Sequence, residues 1–121
     1  MNQTIVNASS GCACVYWRGE KQFDSACAEA NVFNSQDTWY ICRVFVKDHL
    51  RSQGIGSQIL QMLLNEIKKQ NAKKVIVTPG GYNVDEKRQF NFYIKNGFKQ
   101  SEEHEKMLVF TFDENFSKLS E

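Results

Sequence analysis

The stretch Arg51-Ser52-Gln53-Gly54-Ile55-Gly56-Ser57 places an arginine three residues ahead of two glycines in Gly-x-Gly spacing, directly before a helix-patterned run. Those residue types suit the binding of an anion. A helix start offers backbone N–H groups with no partner inside the helix, together with a partial positive charge, and both attract phosphate. Glycine at 54 and 56 removes side chains that would hold a phosphate away from those amides. Arg51 adds a guanidinium for the phosphate oxygens, and Ser57 a hydroxyl. By itself the spacing serves an ordinary turn before a helix equally well. Two familiar phosphate loops are excluded. Gly56 is followed by Ser57 and Gln58, where a P-loop needs lysine and then a hydroxyl residue. Ile59 stands where a dinucleotide fingerprint needs its third glycine, and lysines near position 73 stand where it needs an acid.

Other side chains could also carry chemistry. Tyr93, in the run NFYIKNGF, is a phenol able to donate a proton, although its helical spacing with Phe90 and Ile94 also fits a packed core tyrosine. The aromatic cluster of Phe90, Phe92, Tyr93 and Phe98 suits a small core better than a base-stacking platform. Glu29 and Asp37 are candidate carboxylate bases. His49 and His104 stand alone, in the pattern of solvated loop histidines. Cys12, Cys14, Cys27 and Cys42 lack the two-residue gap usual between zinc ligands. Strand alternation puts Cys12 and Cys14 on one face, where free cysteines behave as small buried apolar residues. No metal site is expected.

The elements that must position these residues are readable from periodicity. CACVYWR and the region Phe23 to Phe33 are strand candidates joined by GEKQ, a loop of hairpin length, although the alanines of the second would also suit a helix. TWYICRVFV, from about Thr38 to Val46, is the strongest strand signal, and its near-continuous apolar character predicts a central strand covered on both faces. From Ile55 the apolar positions Ile55, Ile59, Leu60, Leu63, Leu64 and Ile67 form one helical stripe, closed by Lys68 and Lys69 at the negative end of the dipole. KKVIVT then forms a short strand that ends at the break Pro79-Gly80-Gly81. Strand, helix and strand make a unit with parallel strands. A second helix over DEKRQFNFYIKN stops at Gly97, and FKQSE and EKMLVFTF form a last strand pair. The tail from Asp113 onward is uninformative.

Composition bounds the function. The 121 residues suit a single domain, 1–121, with its own core. Hydrophobic residues at 41% and charged residues at 24% indicate a globular chain, and a scattered net charge of +1 leaves no broad basic face for nucleic acid. The first twenty residues lack a signal-peptide pattern and no window approaches a membrane span, so no membrane partner and a cytoplasmic location are expected.

VFVKDHLRSQGIGSQIL resembles motif A of the GNAT acyltransferase superfamily, in which arginine or glutamine precedes xx-Gly-x-Gly/Ala; Arg51, Gly54 and Gly56 fill the three places. NFYIKNGF is similar to that family's motif B, with Tyr93, Gly97 and Phe98 in register about forty residues after the loop. The resemblance covers residues from about 38 to 112. It implies an α/β (α+β mixed sheet) fold of the GNAT-like acyl-CoA N-acyltransferase type, with a shortened N-terminal part, in which two strands splay to admit pantetheine. It implies acetyl-CoA as cosubstrate, held through Val44, Val46, Arg51, Ser52, Gln53, Gly54, Ile55, Gly56 and Ser57, with Tyr93 as the general acid that protonates the departing thiolate. Glu86 and Gln89 depart from the family, which often has asparagine and alanine there.

Family members usually carry a strand and two helices ahead of the central hairpin, but only about thirty-seven residues precede TWYICRVFV here. An open acceptor face is therefore expected. It suits an amine on a protein better than a small buried amine, unless a homodimer closes the site. The competing function is a catalytically silent fold of this family that binds acyl-CoA or a protein partner.

Overall fold

The computed structural model describes residues 3–33, 35–80 and 85–112. Gly81 of the expected break and the tail from Asp113 lie outside the described residues. The strands are β1 (Gln3–Ser9), β2 (Cys12–Arg18), β3 (Ser25–Phe33), β4 (Ser35–Val46), β5 (Lys74–Val77), β6 (Lys99–Gln100) and β7 (Leu108–Thr111). The helices are α1 (Ile55–Lys69) and α2 (Glu86–Lys95), and a short 3-10 turn covers Asp48–Leu50. The strands form one sheet in the order β1-β2-β3-β4-β5-β7-β6. Among the described residues only β4 and β5 pair in parallel, because α1 carries the chain back between them; β1 to β4 and β6 to β7 are joined by turns into antiparallel pairs, and β7 returns antiparallel beside β5 after α2 and β6.

The alanine-rich segment is strand, not helix. Its alternation of buried Ala26, Ala28 and Ala30 with half-buried Cys27 and Glu29 has a period of two, and each alanine leaves room for the bulky stripe of α1. All six apolar positions of that stripe are buried, as the helical spacing predicts. They pack on β2, β3 and β4 around Trp39, which is fully buried.

The expectation that β4 is covered on both faces is not met. Trp39 and Ile41 are buried while Tyr40, Cys42, Arg43 and Phe45 are exposed. Both helices lie on the Trp39 face. α1 packs there directly, and α2 is tied to α1 by Asn96 and carries Phe98 against Phe110, whose strand partner Val75 lies in the same buried layer. The cysteine expectation is met only in part. Cys12 and Cys14 do share a face, but it is this uncovered one, so Cys12 is exposed and Cys14 half-buried. No helix among the described residues is long and apolar enough to cross a membrane.

α2 ends in a left-handed turn. The amide of Phe98 donates to the Tyr93 carbonyl at 3.0 Å and that of Gly97 to the Ile94 carbonyl at 3.1 Å, a Schellman pattern. Gly97 has φ of 100°, and a Cβ there would lie 3.1 Å from the Phe110 ring. The turn brings Phe98 back onto Tyr93, with ring centroids 5.2 Å apart. Gly97→Ala is therefore expected to lower unfolding free energy by about 1–2 kcal/mol. A urea midpoint equal to that of the unaltered chain would contradict a required left-handed residue here.

Candidate active site

β4 and β5 pair only through Thr38, Trp39 and Tyr40. Beyond Tyr40 the strands part, and among the described residues no strand on the β5 side pairs with residues 41–46 of β4. A bulge at Cys42, between the pairs Ala30–Ile41 and Glu29–Arg43, bends β4 at the same point. The amide of Lys47 donates to the Ser25 carbonyl. Alternation along an antiparallel ladder then turns the backbone groups of Phe45 and Arg43 toward β3, and those of Val44 and Val46 into the opening. Val44 and Val46 thus present strand edge to the opening, where the Val46 carbonyl accepts from Arg51.

The opening leads into a cleft of about 490 Å³ lined by residues 44–46 of β4, Leu50, the 51–57 loop except Gln53, and one side of α2 from Asp85 to Lys95. Ser52 and Gly54 both adopt left-handed conformations, with φ of 67° and 82°. A serine in that region costs of order 1 kcal/mol. The two helices are capped differently. Asp85 accepts a hydrogen bond from the Arg88 amide at 3.1 Å and closes the start of α2. The start of α1 has neither a side-chain cap nor an acidic residue in its first turn, so its leading amides face the cleft without an acceptor among the described residues.

The two glycines serve different ends. Gly54 takes the left-handed conformation at the helix start, and a Cβ there would meet nothing within 4 Å. Gly56 is a packing glycine, because its Cβ would lie 3.2 Å from Phe92 and 3.5 Å from Val46. Clearance for a phosphate is thus argued at Gly54, while Gly56 lets α1 approach α2. Arg51 donates from Nε to the Val46 carbonyl at 3.3 Å and lies 3.0 Å from Asp48 through Nη1. These two contacts hold the guanidinium at the mouth of the cleft with N–H groups to spare. Ser57 accepts from Asn96 Nδ2 at 3.1 Å, which leaves its own hydroxyl proton to donate. Gln53 donates to the His49 carbonyl at 3.4 Å and is not part of the cleft lining.

Tyr93 lines the cleft and is 5% exposed, its ring wedged between Phe92 and Phe98. Its hydroxyl makes no hydrogen bond among the described residues, and burial pushes it well above the ordinary tyrosine range. The phenol therefore stays protonated at neutral pH.

Several residues that sequence reasoning did not assign complete the site. Arg88, Phe92 and Lys95 line the cleft from α2. Asn96 also donates to the Phe92 carbonyl at 2.8 Å, and with Ser57 it clasps the two helices together. Gln89, one departure from the family pattern, accepts from the Gly80 amide at 2.9 Å, and Glu86, the other, lies against Gly80. Both anchor the segment that leaves β5. The 3.6-residue spacing of Arg88, Phe92 and Lys95 put them on one side of a helix, but only the placement of α1 showed which side met a cleft.

The carboxylate candidates fall elsewhere. Asp37 lies at the paired end of β4 and sits 3.9 Å from Lys73, away from the opening. Glu29 lies on β3 opposite Arg43, on the uncovered face. His49 is not simply solvated: Nε2 is 2.6 Å from Asp24 Oδ1, which ties the β2–β3 turn to the 3-10 turn ahead of the loop. That contact, with the Lys21 amide, holds the Asp24 carboxyl below the usual aspartate range. Among the described residues no three metal-ligating side chains come together.

A GNAT acetyltransferase domain model matches residues 5–100. No curated protein matches the sequence. Among solved structures, a GNAT family acetyltransferase from Elizabethkingia anophelis with acetyl-CoA bound superposes with a TM-score of 0.71 at 14% identity, over 92% of this chain and 98% of that one. The PaiA N-acetyltransferase of Thermoplasma acidophilum in complex with coenzyme A gives 0.69 at 15% identity, over 84% of this chain and 62% of that one. An IAA acetyltransferase from Bacillus cereus gives 0.68 at 16%, over 84% and 78%. At such identities the structures share the fold, and the domain match together with the splayed strands, the uncapped α1 and the buried Tyr93 makes this chain a member of the GNAT acetyltransferase family.

Proposed function

We propose that the protein transfers the acetyl group of acetyl-CoA to a primary amine, and that the amine is a lysine or chain terminus of a protein. The observation that carries the reading is the stretch of β4 open on its β5 side running into an uncapped helix start across one cleft. Pantetheine, an amide-bearing chain, pairs with the outward backbone groups of Val44 and Val46 as an added strand would, sharing the Val46 carbonyl with Arg51. Its pyrophosphate meets the amides of residues 53–57, with Arg51 and the Ser57 hydroxyl as side-chain donors. Ser52 contributes through its backbone, whose left-handed turn aims the amides that follow.

Catalysis then consists of holding amine and thioester together, attack of the amine nitrogen on the carbonyl carbon, and departure of the thiolate. Tyr93 is the group placed to meet the developing sulfur charge. A thiol ordinarily titrates near 8.5, well below a tyrosine raised by burial, so complete proton transfer from Tyr93 runs uphill. Its hydroxyl acts chiefly as a hydrogen-bond donor to the sulfur, while the attacking nitrogen releases its proton to solvent and solvent protonates the departed thiolate.

At acetyl-CoA concentrations near 100 times Kd, binding is expected to add about 2.7 kcal/mol to folding stability, read as a rise in Tm. The absence of any rise would sink the transferase reading. With the cofactor bound, lysine peptides are expected to be acetylated faster than free polyamines. Polyamines reacting at equal or higher rates would overturn the protein acceptor.

A further inference from the structure

The cleft holds more positive charge than a pyrophosphate uses. Among the described residues three cations line it, Arg51, Arg88 and Lys95, against one acid, Asp85. Asp85 is occupied as the cap of α2, where its carboxylate accepts from the Arg88 amide. Arg51 is held at the loop by the Val46 carbonyl and Asp48. The side chains of Arg88 and Lys95 make no ion pair and no hydrogen bond among the described residues. A cation on open surface is merely solvated. These two instead form a positive wall across the cleft from the phosphate loop, while Lys87, the third cation of α2, is not part of the lining.

Helix geometry sets the two cations at different depths. Phe92 meets the start of α1, where a Cβ on Gly56 would lie 3.2 Å from its ring. Further along both helices Asn96 bonds to Ser57 and to Gln61, so α2 passes α1 in the same sense. Arg88 precedes Phe92 by four residues on the same side of α2, and so stands about 6 Å ahead of the Gly56 contact. Lys95 follows Phe92 by three residues and lies behind that contact, level with the first turns of α1. A pantetheine arm runs from the α1 amides inward, toward the point where β4 and β5 join. The nucleoside end leaves the other way, ahead of α1, where Arg88 stands.

We infer that Arg88 binds the 3′-phosphate of coenzyme A and makes the cleft select the 3′-phosphorylated nucleotide. The inference rests on the acetyl-CoA reading above and specifies which nucleotide the donor carries. Arg51, the helix amides and Ser57 answer the pyrophosphate. The 3′-phosphate, one ribose further out, brings a further charge of about −1.5 to −2 at neutral pH and is met by none of those groups. A guanidinium presents its N–H groups as a planar fork that matches two phosphate oxygens at once. A donor ending in a 3′-hydroxyl offers Arg88 no charge to hold.

Titration calorimetry with coenzyme A and with 3′-dephospho-coenzyme A reads this contact without turnover. The unaltered chain is expected to bind coenzyme A about tenfold more tightly than the dephospho compound. Arg88→Gln should lower coenzyme A to the dephospho level and leave the dephospho compound within about twofold of its original affinity. Lys87→Gln removes an equal charge from a neighbouring position outside the cleft and should keep the tenfold ratio, about as large as in the unaltered chain. Both positions are exposed on α2, so circular dichroism melts should be unchanged. Equal affinity of the unaltered chain for the two compounds overturns the assignment and leaves the acetyl-CoA reading standing. A ratio that survives Arg88→Gln overturns it too, as does one that Arg51→Gln or Lys87→Gln abolishes equally well. Binding of neither compound removes the reading and the inference together.

Discussion

Tyr93→Phe is expected to lower kcat about a hundredfold while leaving the Kd for acetyl-CoA within about twofold. The substitution removes one oxygen and keeps the ring that packs on Phe92 and Phe98. Because the hydroxyl has no hydrogen-bond partner among the described residues, phenylalanine leaves no protein group orphaned, and stability should hold within about 0.5 kcal/mol. The loss therefore belongs to the reaction. A donor that meets charge only as the thiolate departs contributes to the transition state and not to cofactor binding, so kcat and kcat/KM should fall together. Unchanged turnover would remove Tyr93 from the mechanism. An equal loss of cofactor affinity would make it a binding residue instead.

Gly54→Asp is expected to weaken acetyl-CoA binding by about a hundredfold, and Gly54→Asn by far less. Asparagine and aspartate are the side chains that best tolerate the left-handed conformation found at Gly54. Both have room, since nothing lies within 4 Å of a Cβ built there. Both also favour a helix start, so neither should unfold α1. The two differ by one negative charge placed where the pyrophosphate is proposed to bind. At about 5 Å and an effective dielectric near 20, two unit charges repel by about 3 kcal/mol, roughly a hundredfold in affinity. Titration calorimetry of the pair isolates that charge. Equal affinities for the two variants would place the pyrophosphate away from the start of α1. Gly56→Glu is a poorer probe, because the side chain must first displace Phe92 and Val46.

Much of the fold was legible because local chemistry decides it. The stripe from Ile55 to Ile67 predicted both the helix and its buried face, since a period of 3.6 leaves one solution. Tyr93, Gly97 and Phe98 mark a helix end that needs a left-handed residue followed by a hydrophobic return. TWYICRVFV predicted a strand, but not its second face. Tyrosine, cysteine and phenylalanine are at home in a core or on an interface, and their types do not reveal whether a helix lies above them. The cysteines were misplaced for the same reason. The clasp of Ser57 and Asn96 was invisible because it joins residues thirty-nine apart that meet only after two helices pack.

For this protein the sequence by itself determined the loop that starts α1, the register of each helix face and the family, all set by spacing within one segment. Tertiary structure alone decided which glycine clears the cleft and which one packs. It also decided which side of α2 faces the cleft and which side of the sheet stays bare. Those outcomes depend on the angle at which β4 leaves β5 and on both helices choosing one face. They are relations between segments, which no single segment encodes.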